Sequence, residues 1–210
     1  MNISLKKTLI ISFVLELMYF NLFLVAEPGL VIADTASDAV VFSQVVTGGI
    51  AITHPNDVTM TPLSLAQNTA VASTTWTVTT NNASGYSLKV AADQAGALRS
   101  ISAAFTDYSG PAIPWTVVDD YQFGFSAIGT HTTGYGTDPQ SNCAAGSDVP
   151  STTLGWRGFN GVTQIEIASS SSATAGTATT LCVADEQNGV SMAPSGTYYA
   201  TTTATAITNP

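Results

Sequence analysis

The chain has 210 residues, 45% of them hydrophobic and 9% aromatic, and carries five Lys and Arg against 14 Asp and Glu for a net charge of −9. Intrinsic disorder needs low hydrophobicity as well as few packing residues, so this composition excludes it. After residue 33 the only cations are Lys89, Arg99 and Arg157, too few and too scattered for the basic stripe of a nucleic-acid groove or a polybasic patch against anionic lipid.

The first 33 residues read as a signal peptide. Lys6 and Lys7 form a basic start, residues 9–26 are largely apolar, and Val31, Ile32 and Ala33 supply the small residues that a signal peptidase reads. Cleavage after Ala33 is preferred over cleavage after Ala26. The competing reading is a retained membrane anchor, against which Glu16 weighs, because a carboxylate at mid-bilayer costs about 3 kcal/mol. Residues 34–210 are then expected to form one domain, long enough to bury a real core.

From here onward the apolar pattern has period two and no helix of three turns is expected. Residues 40–46 (VVFSQVV) and 49–53 read as strands around a Thr-Gly-Gly break, and residues 58–65 as a strand bent by Pro62. In residues 74–93, Trp76, Val78, Tyr86, Leu88 and Val90 occupy even positions while Thr, Ser and Lys fill the odd ones. Alternate side chains of a strand point to opposite faces, so the even set forms one apolar face. The loop Asn81-Asn82-Ala83-Ser84-Gly85 suggests a hairpin in which Val78 faces Leu88 and Trp76 faces Val90. Residues 98–105 are read as a further strand, and residues 115–118 as the strand before Asp119-Asp120. Residues 121–126 place Tyr121, Phe123 and Phe125 on one face, and residues 162–168 set Ile165 and Ile167 against Gln164 and Glu166. Residues 177–184 hold Cys182, and residues 196–207 alternate Thr with Ala, Tyr and Ile. Short strands at this spacing, rich in β-branched Thr, point to an all-β fold, a sandwich or a barrel; the expectation is an antiparallel β-sandwich of Ig-like kind.

Cys143 lies in the long loop-like stretch 129–153 and Cys182 on a strand. In an exported chain they are expected to form a disulfide pinning that excursion, worth about 4 kcal/mol by closure of a loop of about 40 residues. Two free buried thiols are the alternative.

The WTVTTNNASGYSLKV stretch, the late strand carrying Cys182 and the terminal GTYYATTTATAITNP together resemble small exported bacterial surface proteins with a WxL-like β-sandwich domain. Trp76-Thr77-Val78 and Trp156-Arg157-Gly158 approximate the Trp-x-Leu motifs of that family. The resemblance implies a one-domain sandwich at the cell envelope.

Motifs for chemistry are sparse. His54 and His131 are the only histidines, no G-x-S-x-G elbow or phosphate-binding loop is present, and no catalytic residue is assigned. Trp156, Arg157 and Asn160 form a candidate sugar platform, since carbohydrate sites need a flat aromatic backed by polar groups; Trp156 at a strand end is equally readable as core. Asp138, Asn142 and Asp148 in the long loop are candidate calcium ligands, because hard cations take oxygen ligands. A glycoside hydrolase needs two carboxylates; Asp119, Asp120, Glu166, Asp185 and Glu186 are noted, and nothing in the sequence selects one pair among the chain's acids. The expectation is a non-enzymatic secreted or cell-surface protein, an adhesive or structural envelope subunit. Its partner is an envelope component or another copy of itself, joined by exchange of an edge strand. The donor would be the segment after Asp34 or the Thr/Ala-rich C-terminal run. The other readings are a small carbohydrate-binding module and a carboxylate-based glycoside hydrolase.

Overall fold

The computed structural model describes residues 39–53, 55–116, 120–137, 143, 148–188 and 191–210. The signal-peptide segment, the predicted domain start at residue 34, His54, and Asp119 lie outside them. The chain divides into residues 1–45 and residues 46–210. Of the first unit, residues 39–45 are described: they are exposed and take no regular secondary structure.

Among its described residues the second unit holds eight strands: β1 (Ile50–Ile52), β2 (Thr69–Thr80), β3 (Tyr86–Ala92), β4 (Thr106–Asp107), β5 (Gln122–Gly129), β6 (Ile165–Ser170), β7 (Thr174–Glu186) and β8 (Thr202–Thr208). They form a five-stranded sheet in the order β1-β2-β7-β5-β4 and a three-stranded sheet in the order β6-β3-β8. All pairings are antiparallel except β4 with β5. The fold is an all-β sandwich, as the period-two pattern implied.

The apolar even face is where the sequence placed it. Val78, Tyr86, Leu88 and Val90 are fully buried and Trp76 nearly so, in the core between the sheets, together with Phe123, Phe125 and Ile167. The predicted hairpin is not formed. Trp76 pairs with Thr179 of β7, and Val90 pairs with Ile165 of β6 and Ala204 of β8. Residues 81–85 form an arch that carries the chain from one sheet to the other, so β2 and β3 face each other through their side chains. Asn81 accepts from the Gly49 N–H at 2.6 Å and Asn82 donates to the Asn209 carbonyl at 2.6 Å, which ties the arch to neighbours rather than to a two-strand turn. Gly85 has φ 79°, and a Cβ there would lie 2.0 Å from the Ser170 carbonyl oxygen, so the arch requires glycine.

Three further strand expectations are corrected. Residues 40–46 pair with no strand: the run is exposed and irregular along its length. Residues 58–65 are irregular; Pro62 has no N–H to give a ladder. Residues 98–105 turn back on themselves, with Arg99 bridged to Ala104 and to Tyr199, and Ser100 donating from its N–H to the Ala103 carbonyl at 2.8 Å. Trp115 and Thr116 lie outside any strand, and residues 117–118 fall outside the described set.

Candidate functional site

The five-stranded sheet is buried on both faces at its β5–β7 end. One face meets the main core. Against the other lies a second cluster of Tyr108, Cys143, Leu154, Trp156, Cys182 and Ala184, with Val71, Trp115 and Ile128 packed on it. Alternation along β7 divides the two: Leu181 faces the first cluster, Cys182 and Ala184 the second. The disulfide between Cys143 and Cys182, with Cα atoms 5.5 Å apart, fastens the loop excursion onto this outer face.

Aromatic rings fill the layer. Trp115 stacks on Tyr108 at 4.7 Å and meets Trp156 edge-on at 5.4 Å. Trp156 donates from Nε1 to the Ser151 carbonyl at 2.9 Å. The WRGFNG segment runs beside β5, Phe125 and Arg157 exchanging N–H···O bonds at 2.8 and 2.9 Å. Gly158 permits this approach, since a Cβ would sit 2.2 Å from the Tyr108 carbonyl oxygen.

The three residues of the sugar platform do not converge. Trp156 is 0% exposed and offers no face for a sugar ring. Arg157, next along an extended segment, points the other way, towards Tyr135, whose pKa burial raises and the Arg157 charge lowers. Asn160 is exposed in a turn closed by the Thr163 N–H to its carbonyl at 3.1 Å. This corrects the platform expectation: a wide indole bordered by an open sheet face is worth more inside than outside. Of the candidate calcium ligands, Asp138 and Asn142 lie outside the described residues and Asp148 is described alone. Among the described residues no group of three or more His, Cys, Asp or Glu is placed to hold a metal.

The acids are dispersed. Glu166 is exposed and accepts from the Ser87 hydroxyl at 2.7 Å, and Asp120 accepts from Thr106 at 3.1 Å. His131 meets the Tyr86 hydroxyl at 3.0 Å through Nδ1 and accepts the Ser169 N–H at its carbonyl, a contact that joins the end of β5 to β6. The two buried carboxylates, Asp185 and Glu186, are adjacent on β7 and so turn to opposite sides of the sheet. Sequence reasoning missed their burial: acids at a strand end usually mark solvent. Glu186 accepts the Trp115 indole N–H through Oε2, while its Oε1 has no hydrogen-bond partner. Burial raises its pKa, and the indole bond works against that rise.

Burial also pushes the Asp185 carboxyl up to about 7 from 3.8, despite the Ala70 N–H at 3.1 Å, and the Asp148 charge adds to the rise. The folded chain therefore holds a proton that the unfolded chain has released. Stability falls as pH rises between those two values, at most by about 1.4 kcal/mol per pH unit, and levels off above the folded value. Glu186 contributes with the same sign. Asp185→Asn is expected to keep the Ala70 hydrogen bond and shallow this fall, measured as urea midpoints across the weakly acidic to neutral range. An unchanged slope would contradict the protonated, buried Asp185.

Scans against protein-family models, curated proteins and solved structures each found no match to this chain. No helix among the described residues is long and apolar enough to cross a membrane.

Proposed function

We propose that the chain is a non-enzymatic protein of the cell surface or the secreted space, an adhesive or structural envelope subunit that associates with copies of itself through strand edges. One observation carries this reading: the three-stranded sheet ends in β8, a seven-residue strand without charge or proline. Natural sheet edges that must stay solitary carry lysine, proline, bulges or covering loops. An edge lacking them suits a protein whose work is to be joined. The Cys143–Cys182 bridge supports an oxidising compartment. The Thr-rich exposed rows of β2 and β8 support a surface life with few charges to neutralise. The likeness to exported WxL-like surface proteins points the same way.

Fractionation of expressing cells tests the location. The mature chain, beginning at Asp34 by N-terminal sequencing, is expected in the envelope or medium. A cytosolic chain with residues 1–33 intact would overturn the reading.

A further inference from the structure

Two features of the molecule are complementary. The first is the run VVFSQVV at residues 40–46. Val40, Val41, Phe42, Val45 and Val46 are all strongly exposed, Phe42 at 93%. A phenylalanine and four valines in seven residues are strong strand formers, and no strand pairs with them. Free energy of burial favours covering them, because apolar surface gains by leaving water.

The second is the outer edge of β8. Asp93 donates to the Thr201 carbonyl at 3.2 Å and Asn209 to the Gly85 carbonyl at 3.1 Å. These two pairs lie in the same unbroken register as β3 with β8, which carries Ser87↔Ile207, Lys89↔Thr205 and Ala91↔Thr203 between them. Antiparallel ladders alternate bonded and non-bonded pairs, so the odd residues of β8 bond to β3. The N–H and C=O groups of Thr202, Ala204, Ala206 and Thr208 therefore point away from it. Among the described residues β3 is the one strand hydrogen-bonded to β8; β1 lies near β8 without pairing to it. The other edges are poorer acceptors. On β6, Ser169 donates to the His131 carbonyl and the Tyr135 hydroxyl reaches the Glu166 carbonyl at 3.5 Å. β1 has three residues and β4 two.

We propose that residues 40–46 of one copy add as a strand to the outer edge of β8 of a second copy. The run and β8 are both seven residues long and neither carries a charge. Main-chain bonds supply the affinity of such an addition, and alternate side chains supply the fit. Ala204 and Ala206 are small and partly buried against the main core, and an added strand would set Val40, Phe42 and Val46, with Gln44 between them, on the face beside these alanines. Between the run and β1, Asn81 holds Thr47 and Gly49 and Thr80 donates to the Gly49 carbonyl, while a Cβ at Gly48 would meet nothing within 4 Å. A head-to-tail contact of this kind leaves each copy with one donor and one acceptor, and it propagates as a chain of subunits unless rotation closes a ring. The C-terminal run, expected from sequence as a donor, is the acceptor here, because its inner edge is already held by β3. The inference rests on the self-associating part of the proposed function and names its elements.

Light scattering of the full chain, carried through export so that the disulfide forms, tests this across a wide concentration range. Mass is expected to rise with concentration. Phe42→Asp places a charge in the donor, and Ala206→Pro removes an outward N–H without touching the bonds to β3. Each is expected to raise the concentration needed for association at least about tenfold while leaving the melting temperature of the dilute monomer near that of the parent. Hydrogen exchange gives a second readout: the Ala204 and Ala206 amides should slow with concentration in the parent and stay fast in Phe42→Asp. A parent that is monomeric throughout overturns the inference, whether its β8 amides are slow, meaning the run folds back on its own edge, or fast. Association unaffected by both substitutions also overturns it. A monomer found in the envelope would sink the inference and leave the surface role standing; association by a chain retained in the cytosol would do the reverse.

Discussion

Trp156→Ala is expected to destabilise the protein by about 3–5 kcal/mol, the range for deleting a fully buried aromatic. Trp156 is wholly enclosed by the outer layer, edge-on to Trp115 and beneath the Cys143–Cys182 bridge. Its removal leaves a cavity that the disulfide and the β5 pairing of Arg157 prevent from closing. It also strands the Ser151 carbonyl, which loses its 2.9 Å bond from Nε1. Trp156→Phe separates the two effects: the ring volume is largely kept, and the loss falls towards the about 1–3 kcal/mol of an unpaired buried acceptor. Urea unfolding of both variants measures the difference. A Trp156→Ala variant within about 0.5 kcal/mol of the parent, the range of ordinary surface substitutions, would mean that the indole is not core.

Removing the disulfide is the second large effect. Cys143 and Cys182 are 39 residues apart in sequence; opening that loop in the unfolded chain is worth about 4 kcal/mol in the chain-entropy account. The Cys143→Ala, Cys182→Ala double variant avoids leaving a lone thiol. Most of the loss should appear in the outer layer: amides of residues 151–157 should exchange faster relative to those of β3, which lies in the other sheet. Because Trp156 packs in the same cluster as both cysteines, the triple variant should lose less than the sum of the separate losses. Equal unfolding midpoints with and without reductant would contradict this assignment.

Both predictions concern a layer that sequence pattern alone did not announce. On β5, Phe123 and Phe125 alternate with Gln122, Gly124 and Ser126, which reads as an apolar face backed by a solvent face. Yet Gln122 and Ser126 are buried. Gln122 donates to the Thr116 carbonyl at 2.8 Å, and the outer layer of Tyr108, Cys143, Leu154 and Trp156 is held on that face by the disulfide and a bridge between Ile113 and Trp156. Small and polar residues fit under that layer because the excursion supplies the bulk.

What the sequence determined by itself was the two-faced character of each strand. Side-chain alternation is a property of the local backbone, so Trp76, Val78, Tyr86, Leu88 and Val90 were legible as core from one short stretch. The disulfide partners were legible because there are only two cysteines. Which strand lies beside which was decided only in three dimensions. Trp76 finds Thr179, about a hundred residues away, in preference to Val90 across a five-residue loop, because an arch and a hairpin bury the same even-numbered face and no local signal separates them. The same holds for the two carboxylates of β7 and for the free edge of β8. Burial and edge position belong to the neighbours a segment acquires, and those neighbours are fixed by packing over the whole chain.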